Sequence, residues 1–152
     1  MIAYITIGTN DMTRARAFYT AFLPALGYEF SEGSDGLSFA LPVPEGEVPT
    51  APDVYVKHPF DGALASAGNG LMVAFQADTQ AQVRALHTAA VAAGGTDDGT
   101  PGFRAAYSAG FYVGYLRDPQ GNKIALFSSN HGEPGRDGQQ LPALAHKTTG
   151  PE

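Results

Sequence analysis

The chain has 152 residues, of which 43% are hydrophobic, and this is enough for one globular domain with a sizeable core. Its net charge of −6 and its lack of a basic run argue against nucleic acid or an anionic membrane as a partner. Cysteine is absent, which excludes disulfides, thiol catalysis and zinc–cysteine sites and fits a cytoplasmic location. No basic leader precedes the first strand, and no apolar stretch approaches the ~18 residues of a membrane span, so we expect neither a signal peptide nor a membrane segment.

The first half of the chain predicts a strand, a helix and three further strands. Residues 1–8 alternate with a period of two, which places Ile5 and Ile7 on one face of a strand. Asn10 or Asp11 can cap the helix that follows. The apolar stripe of that helix consists of Ala15, Phe18, Tyr19 and Phe22. The pattern then predicts a hairpin over residues 28–32 and 37–41, a proline-rich loop over 42–52 and a strand over 53–57.

The second half follows the same plan after a linker over residues 58–70. A strand is predicted over residues 71–77, and Asp78 or Thr79 can cap a helix that ends at a Gly-Gly pair. The next segments are a glycine- and proline-rich bend over 99–104, a strand over 111–116, a DPQGN turn and a strand over 123–127. Residues 130–152 show no periodicity, so we expect a polar tail that is either disordered or docked as an arm.

The two halves form an internal repeat. The helix sequence RAFYTA at 16–21 recurs as RALHTA at 84–89, a spacing of 68 residues, and YITIG at 4–8 aligns with MVAFQ at 72–76. We therefore predict an α+β fold in which two βαβββ modules, residues 1–57 and 71–129, form a single domain over 1–129. The helices would cover one face of an open, eight-stranded, barrel-like sheet, and the side chains on the other face would line a cavity.

Four further motifs accompany the repeat: GNG at 68–70, AAGG at 92–95, PGFR at 101–104 and YLRDPQGNKI at 115–124. With these motifs the chain resembles the vicinal oxygen chelate superfamily, which includes glyoxalase I, extradiol dioxygenases and bleomycin- or fosfomycin-resistance proteins. The resemblance implies the paired βαβββ fold and, in the metal-using members, a divalent ion held by the first and last strands of each module. Those ligand positions fall here on Tyr4, Met72 and Ala125, and on Lys57 or, if the alignment slips by two residues, on Tyr55.

These positions offer poor donors for a divalent cation. Alanine has no donor atom, a thioether is a soft ligand, and a protonated lysine repels a cation. A phenol, with a usual pKa of about 10, is a weak ligand. We therefore expect no metal site and no cofactor, and we assign no catalytic residue, because the chemistry of the metal-using members depends on the ion.

The sequence also suggests residues that could line a ligand pocket. Aromatic residues cluster over 107–115, and tyrosine combines apolar area with a hydroxyl, as the walls of small-molecule sites require. Arg104 could bind a carboxylate through two hydrogen bonds, and His58 lies near Asp61 in the linker. The expected ligand-binding residues are Tyr4, Lys57, His58, Met72, Arg104, Tyr107, Tyr112 and Phe127.

Three functions remain open at the level of sequence. The first is a metal-free protein of the bleomycin-resistance type that binds a small organic molecule. The second is a glyoxalase-like lyase or isomerase, or a dioxygenase-type enzyme, with a non-standard metal site or with acid–base chemistry at Tyr4, Lys57 or His58. The third is a protein-interaction module. We also expect a homodimer, because superfamily members commonly pair and open sheets leave edges to cover.

Overall fold

Each half of the chain forms one sheet covered by one helix. The computed structural model describes residues 1–144. The first half contains β1 (Tyr4–Gly8), α1 (Met12–Thr20), β2 (Glu29–Gly33), β3 (Gly36–Ala40) and β4 (Asp53–Lys57). The second half contains β5 (Met72–Gln76), α2 (Gln80–Ala92), β6 (Thr96–Phe103), β7 (Tyr112–Arg117) and β8 (Lys123–Ser128).

The two sheets share one topology. The strand order is β1-β4-β3-β2 in the first sheet and β5-β8-β7-β6 in the second. In each sheet the first and last strands of the module pair in parallel, and the remaining pairs are antiparallel. Two tandem βαβββ modules are therefore confirmed. The eight strands form two four-stranded sheets that do not close into a barrel.

The strand register decides how the last strands of the two modules correspond. Thr6 of β1 pairs with Tyr55 of β4, and its counterpart Ala74 of β5 pairs with Ala125 of β8. Tyr55 therefore occupies the place in the first sheet that Ala125 occupies in the second, a spacing of 70 rather than 68 residues. Of the two alignments left open by the sequence, the structure supports the one that is shifted by two residues.

Side-chain caps begin both helices. Asp11 Oδ1 accepts a hydrogen bond of 2.9 Å from the backbone N–H of Arg14, and Thr79 Oγ1 accepts one of 3.0 Å from that of Gln82. Each cap satisfies a backbone donor that the first helical turn leaves free. Of the two candidates for each helix, the structure therefore selects Asp11 for α1 and Thr79 for α2.

The expected bend over residues 99–104 is wrong, because residues 99–103 belong to the edge strand β6. Glycine and proline disfavour regular strands, but an edge strand tolerates both where its pairing is irregular. The register of β6 against β7 shifts between Asp97 and Gly99 and again between Gly99 and Gly102, and Gly99 has φ +149°. Pro101 lies between the second pair, so its missing N–H interrupts no regular ladder.

The DPQGN turn between β7 and β8 joins the two modules. Asp118 Oδ1 accepts hydrogen bonds from the backbone N–H groups of Gln120 and Asn122, at 2.9 and 2.8 Å. The Tyr19 hydroxyl of α1 donates to Asp118 Oδ2 at 2.7 Å. Asn122 Nδ2 donates to the Gly8 carbonyl of β1 at 3.0 Å. The DPQGN turn of the second module is therefore hydrogen-bonded to both α1 and β1 of the first module.

Aromatic side chains continue this contact into a common core. Phe22 packs edge-to-face on Phe75 of β5 with ring centroids 5.7 Å apart, and both rings belong to one buried cluster. Gly95, after α2, lies so close to α1 that a Cβ there would be 2.6 Å from Phe18 Cε2. The described part of the expected tail, residues 130–144, lies against α2 and the segment before β7, while residues 145–152 are outside the described residues. Within residues 1–144, neither helix has the length and apolar character needed to cross a membrane.

Candidate functional site

The candidate site is the open face of the two sheets, by which we mean the face opposite α1 and α2. Side chains alternate along a strand, so the buried Ile7, Val54 and Val56 define the helix-covered face of the first sheet. Tyr4, whose side chain is 63% exposed, points to the other side. The residues of β1, β4, β5, β7 and β8 that the register places on the open face include Tyr4, Thr6, Asp53, Tyr55, Lys57, Met72, Val113, Tyr115, Arg117, Lys123, Ala125 and Phe127.

Two tyrosines and a lysine dominate the open face of the first sheet. Tyr4 and Tyr55 pack edge-to-face with ring centroids 5.7 Å apart. The Tyr55 hydroxyl donates to Asp53 Oδ2 at 3.2 Å, and the charge of that carboxylate raises the pKa of Tyr55. Lys57 Nζ lies 5.3 Å from the centre of the Tyr55 ring and 3.9 Å from Asp35 Oδ2. The long distance to Asp35 leaves the ammonium available to an incoming anion.

Tyr115 lies between cations on the open face of the second sheet. Arg104 Cζ is 5.3 Å and Lys123 Nζ is 5.1 Å from the centre of its ring, both within cation–π range. Lys123 Nζ also lies 2.9 Å from Asp98 Oδ2, and Arg117 Nε lies 3.1 Å from the same oxygen. The hydrogen bond from Lys123 is the main reason that the pKa of Asp98 is lowered.

Three rings extend this surface toward the segment before β7. Tyr107 and Phe111 have ring centroids 4.7 Å apart, and Phe111 and Phe127 have centroids 4.6 Å apart. We call Tyr107, Phe111 and Phe127 the ring stack. Tyr107 is 52% exposed, so the stack offers an aromatic surface to solvent beside Tyr115.

Two cavities open beside β1. The first, of about 270 Å³, lies where β1 meets β5 and β8, and its polar lining includes Thr6, Ser66, Asn122 and Lys123. The second, of about 480 Å³, is lined by Thr6, Lys57, His58 and Phe60, among others. Thr6 and Gly8 border both cavities. The larger cavity falls within the range of about 300–1,000 Å³ that small-molecule sites have, and the smaller one lies just below it.

A comparison with known families matches residues 1–126 to the Glyoxalase/Bleomycin resistance protein/Dioxygenase superfamily. The chain belongs to this superfamily. A solved glyoxalase/bleomycin resistance protein from Albidiferax ferrireducens is 32% identical, with a TM-score of 0.69, and the match covers 84% of this chain and 98% of that one.

Two more distant superfamily structures share the fold. A glyoxalase-related enzyme from Fulvimarina pelagi is 18% identical, with a TM-score of 0.62, and the match covers 84% of this chain and 87% of that one. A family enzyme from Burkholderia phytofirmans is also 18% identical, with a TM-score of 0.58 and coverage of 84% and 97%. At this identity the likeness shows the fold alone. No curated protein matches the chain significantly.

The residues at the superfamily's expected metal-ligand positions do not fit a divalent ion. With the register above, these positions are Tyr4, Tyr55, Met72 and Ala125. Ala125 is 1% exposed and has no donor, and the raised pKa of Tyr55 disfavours the phenolate that a metal would bind. Within residues 1–144, no three His, Cys, Asp or Glu side chains lie close enough together to hold a metal ion.

The open face of this superfamily member brings together most of the residues expected from the sequence. Tyr4, Lys57, Met72 and Phe127 lie on it by register. Arg104 reaches it over Tyr115, and Tyr107 does so through the ring stack. His58 borders the larger cavity, but its Nδ1 lies 2.9 Å from the Thr9 carbonyl oxygen, while Asp61 accepts from the backbone N–H of Ala63. The described contacts therefore assign His58 and Asp61 to separate structural roles.

The expectation that Tyr112 borders the cavity is wrong. Tyr112 pairs with Ser128, which places it on the helix-covered face, and it is only 7% exposed. Its hydroxyl accepts a hydrogen bond of 3.1 Å from Arg84 Nη1 of α2, and its ring packs on Phe103. Tyr112 is therefore a core residue of the second module. Of the eight expected residues, only Lys57 and His58 line the cavities beside β1; the others on the open face, Tyr4, Met72, Arg104, Tyr107 and Phe127, line neither cavity.

Sequence reasoning missed Tyr115 and Lys123 as site residues. Tyr115 pairs with Ala125, and Lys123 stands two residues before Ala125 on the same face. Counting outward from the DPQGN turn would have found both, because residues that pair in a hairpin share a face. Periodicity within β7 alone gives no such signal, since all of its first four residues are buried or aromatic.

Proposed function

We propose that this protein binds a small anionic aromatic molecule on the open face, without a divalent ion at the superfamily's metal-ligand positions. The observation that carries the proposal is the donor set at those positions: two phenols, a thioether and a methyl group, at Tyr4, Tyr55, Met72 and Ala125. Such a set leaves room for an organic ligand but gives no charged ligand for a cation.

The rest of the open face supports a ligand that is both aromatic and anionic. The ring stack and Tyr115 supply flat apolar surface, and aromatic pairs contribute beyond the area that they bury. Lys57 and Lys123 border the two cavities, so each can face a carboxylate placed there. Thr6, which borders both cavities, adds a polar side chain to the lining of each.

The acid–base alternative has less support from the geometry. A general base on this face needs a group that loses its proton near neutral pH. Asp53 instead raises the pKa of Tyr55, which keeps that hydroxyl protonated. His58 is hydrogen-bonded to a backbone carbonyl rather than to a carboxylate. Binding alone therefore accounts for the site more simply than a metal-free reaction does.

Calorimetric titration with naphthoate, and with its neutral methyl ester, tests the proposal. We expect the acid to bind more tightly than the ester, and Lys57→Gln and Lys123→Gln each to weaken its binding by about 1–3 kcal/mol. Arg14→Gln is the matched control, because Arg14 is exposed on α1 and away from the open face. Equal affinity for acid and ester, or equal losses in all three variants, would contradict the proposal.

A metal titration tests the second half of the proposal. We expect dialysis against Ni²⁺, Zn²⁺ or Mn²⁺ to leave no tightly held equivalent on the protein. One bound equivalent that is lost in Tyr4→Phe and Tyr55→Phe would show that the phenols do hold an ion, and it would favour the enzymatic alternative.

We also propose that two chains pair in solution. Large apolar side chains are exposed near the open face, among them Ile2, Leu71 and Phe60, the last of which is fully exposed. Burying these side chains against a second chain would remove apolar surface from water, which favours association. Sedimentation equilibrium tests the pairing, and a monomer at tens of micromolar protein would contradict it.

A further inference from the structure

The segment after the superfamily match builds part of the candidate site. Residues 130–144, which we call the arm, follow the matched region 1–126 and run past residues 104–111, which we call the loop. The loop carries Arg104 and two members of the ring stack, Tyr107 and Phe111. We propose that the arm fixes the loop in its ligand-binding conformation and that Arg136 is the positioning residue. The ligand-binding part of this inference rests on the proposed function.

Arg136 donates hydrogen bonds to three carbonyl groups of the loop backbone. Its Nη1 donates to the carbonyl oxygen of Arg104 at 3.0 Å and to that of Tyr107 at 3.4 Å. Its backbone N–H donates to the carbonyl oxygen of Ala109 at 2.8 Å. A planar guanidinium can serve two carbonyls at once, which a single ammonium centre does with less geometric control. These bonds span six residues of the loop, so they hold its curvature and not only one end.

Close packing supports the same contact. A Cβ at Gly110 would lie 2.7 Å from Leu141 Cδ1, and a Cβ at Gly135 would lie 2.8 Å from the Ala109 carbonyl oxygen. Real Cβ atoms avoid such distances, so glycine on both sides lets the arm and the loop approach each other. The arm is therefore fitted to the loop by its sequence as well as by the bonds of Arg136.

The other end of the arm is tied to α2. Glu133 Oε2 accepts a hydrogen bond of 2.8 Å from the backbone N–H of Gln80, and Gln80 Nε2 donates to the Pro134 carbonyl at 2.9 Å. Asn130 Nδ2 donates to the Asp78 carbonyl at 2.9 Å. The arm is thus hydrogen-bonded both to the start of α2 and to the loop, which has no regular structure. These contacts oppose local opening of the loop.

The geometry of the loop explains why this matters for a ligand. Arg104 lies over Tyr115, and Phe111 lies between Tyr107 and Phe127. If the loop opened, the open face would lose two of its three stacked rings, and Arg104 would be held over Tyr115 only by its bonds to the Thr100 and Phe103 carbonyls of β6. Ligand binding would then have to supply the free energy of ordering the loop, so the affinity would be lower.

Trypsin cleavage after Arg104 gives a test that does not depend on any ligand. The carbonyl of that peptide bond is an acceptor of Arg136, so we expect cleavage in native conditions to require that the loop be released from Arg136. We expect Arg136→Ala to speed this cleavage about tenfold and Arg136→Lys to restore it in part. Gln140→Ala, at an exposed position of the arm, is the matched control and should behave like the parent. Unchanged cleavage in Arg136→Ala overturns the proposal.

Naphthoate binding to the same full-length variants separates the two proposals. We expect Arg136→Ala to bind naphthoate several-fold more weakly while its melting temperature stays within a few degrees of the parent. Faster cleavage with unchanged affinity overturns the positioning role, because the loop would then open without consequence for the ligand. If the parent does not bind naphthoate, the proposed function fails, and the cleavage rates still decide whether the arm fixes the loop.

Discussion

The hydroxyl of Tyr19 should make one of the largest single-group contributions to the free energy of unfolding of this protein. It belongs to α1 of the first module and donates to Asp118 Oδ2 in the DPQGN turn of the second module at 2.7 Å. Tyr19 is fully buried and Asp118 is 4% exposed. A hydrogen bond to a charged group contributes about 1.5–3 kcal/mol net. Because Tyr19→Phe removes one oxygen and keeps the ring, we expect the free energy of unfolding to fall by about that amount.

Urea unfolding followed by circular dichroism measures this change. The midpoint should fall at an unchanged m-value, since the surface exposed on unfolding stays the same. Tyr28→Phe is the matched control: Tyr28 is half-buried in the same module, and its hydroxyl forms no hydrogen bond with residues 1–144. We expect the control to stay within about 0.5 kcal/mol of the parent. If the two variants lose the same stability, the reasoning about the Asp118 contact is refuted.

Tyr19→Phe should also change how the free energy of unfolding falls at alkaline pH. Burial, and then the charge and hydrogen bond of Asp118, raise the pKa of Tyr19 well above its usual value of 10.0. Below the unfolded-state pKa the hydroxyl is protonated in both states, so its contribution is complete. Above about pH 10 the unfolded state releases this proton while the folded state keeps it, so stability falls. The difference between parent and Tyr19→Phe should therefore narrow as the pH rises above that point.

Substitutions at three further positions test other parts of the fold. Gly95→Ala should cost about 1–3 kcal/mol in urea unfolding, because its Cβ would lie 2.6 Å from Phe18 Cε2; no loss would mean that the helix contact is looser than described. Thr79→Ala should cost about 1 kcal/mol in thermal unfolding by removing the cap on the Gln82 N–H, whereas Thr79→Ser should cost less. The pKa of Asp98 is lowered by its hydrogen bond to a lysine, so its contribution is present above about pH 4 and is lost as the pH falls further. Asp98→Asn should flatten that acid-side loss of melting temperature, and parallel curves for variant and parent would contradict this assignment.

The repeat made the fold predictable, because two alignable copies of one pattern constrain topology more strongly than either copy alone. Strand alternation correctly placed Ile5 and Ile7 on the helix-covered side. The edge strand β6 was missed, because glycine and proline at 99–104 read as a bend when the pairing partner is unknown. Edge strands escape local rules because only one of their sides has to form a ladder.

The site was less predictable than the fold for a related reason. Whether an aromatic residue of β7 faces the helix or the open side depends on its partner in β8, which is a matter of register. Tyr112 pairs with Ser128 and is buried under α2, whereas Tyr115 pairs with Ala125 and lies on the open face. The composition of the strand is compatible with either outcome. The contacts between Arg136 and the loop could not be predicted from the sequence, because neither the arm nor the loop has a periodic pattern.

The irregular pairing of β6 also affects how this protein can associate with itself. As the outer strand of the second sheet, β6 would otherwise present a row of free N–H and C=O groups to any neighbouring chain. Pro101 removes one donor, two register shifts bend the row, and Asp97 and Asp98 place negative charge along it. A second β6 brought alongside would meet like charges and mismatched donors. Strand-to-strand addition at this edge is therefore discouraged, so two chains that joined their sheets into a continuous one would have to do so through another outer strand, β1, β2 or β5.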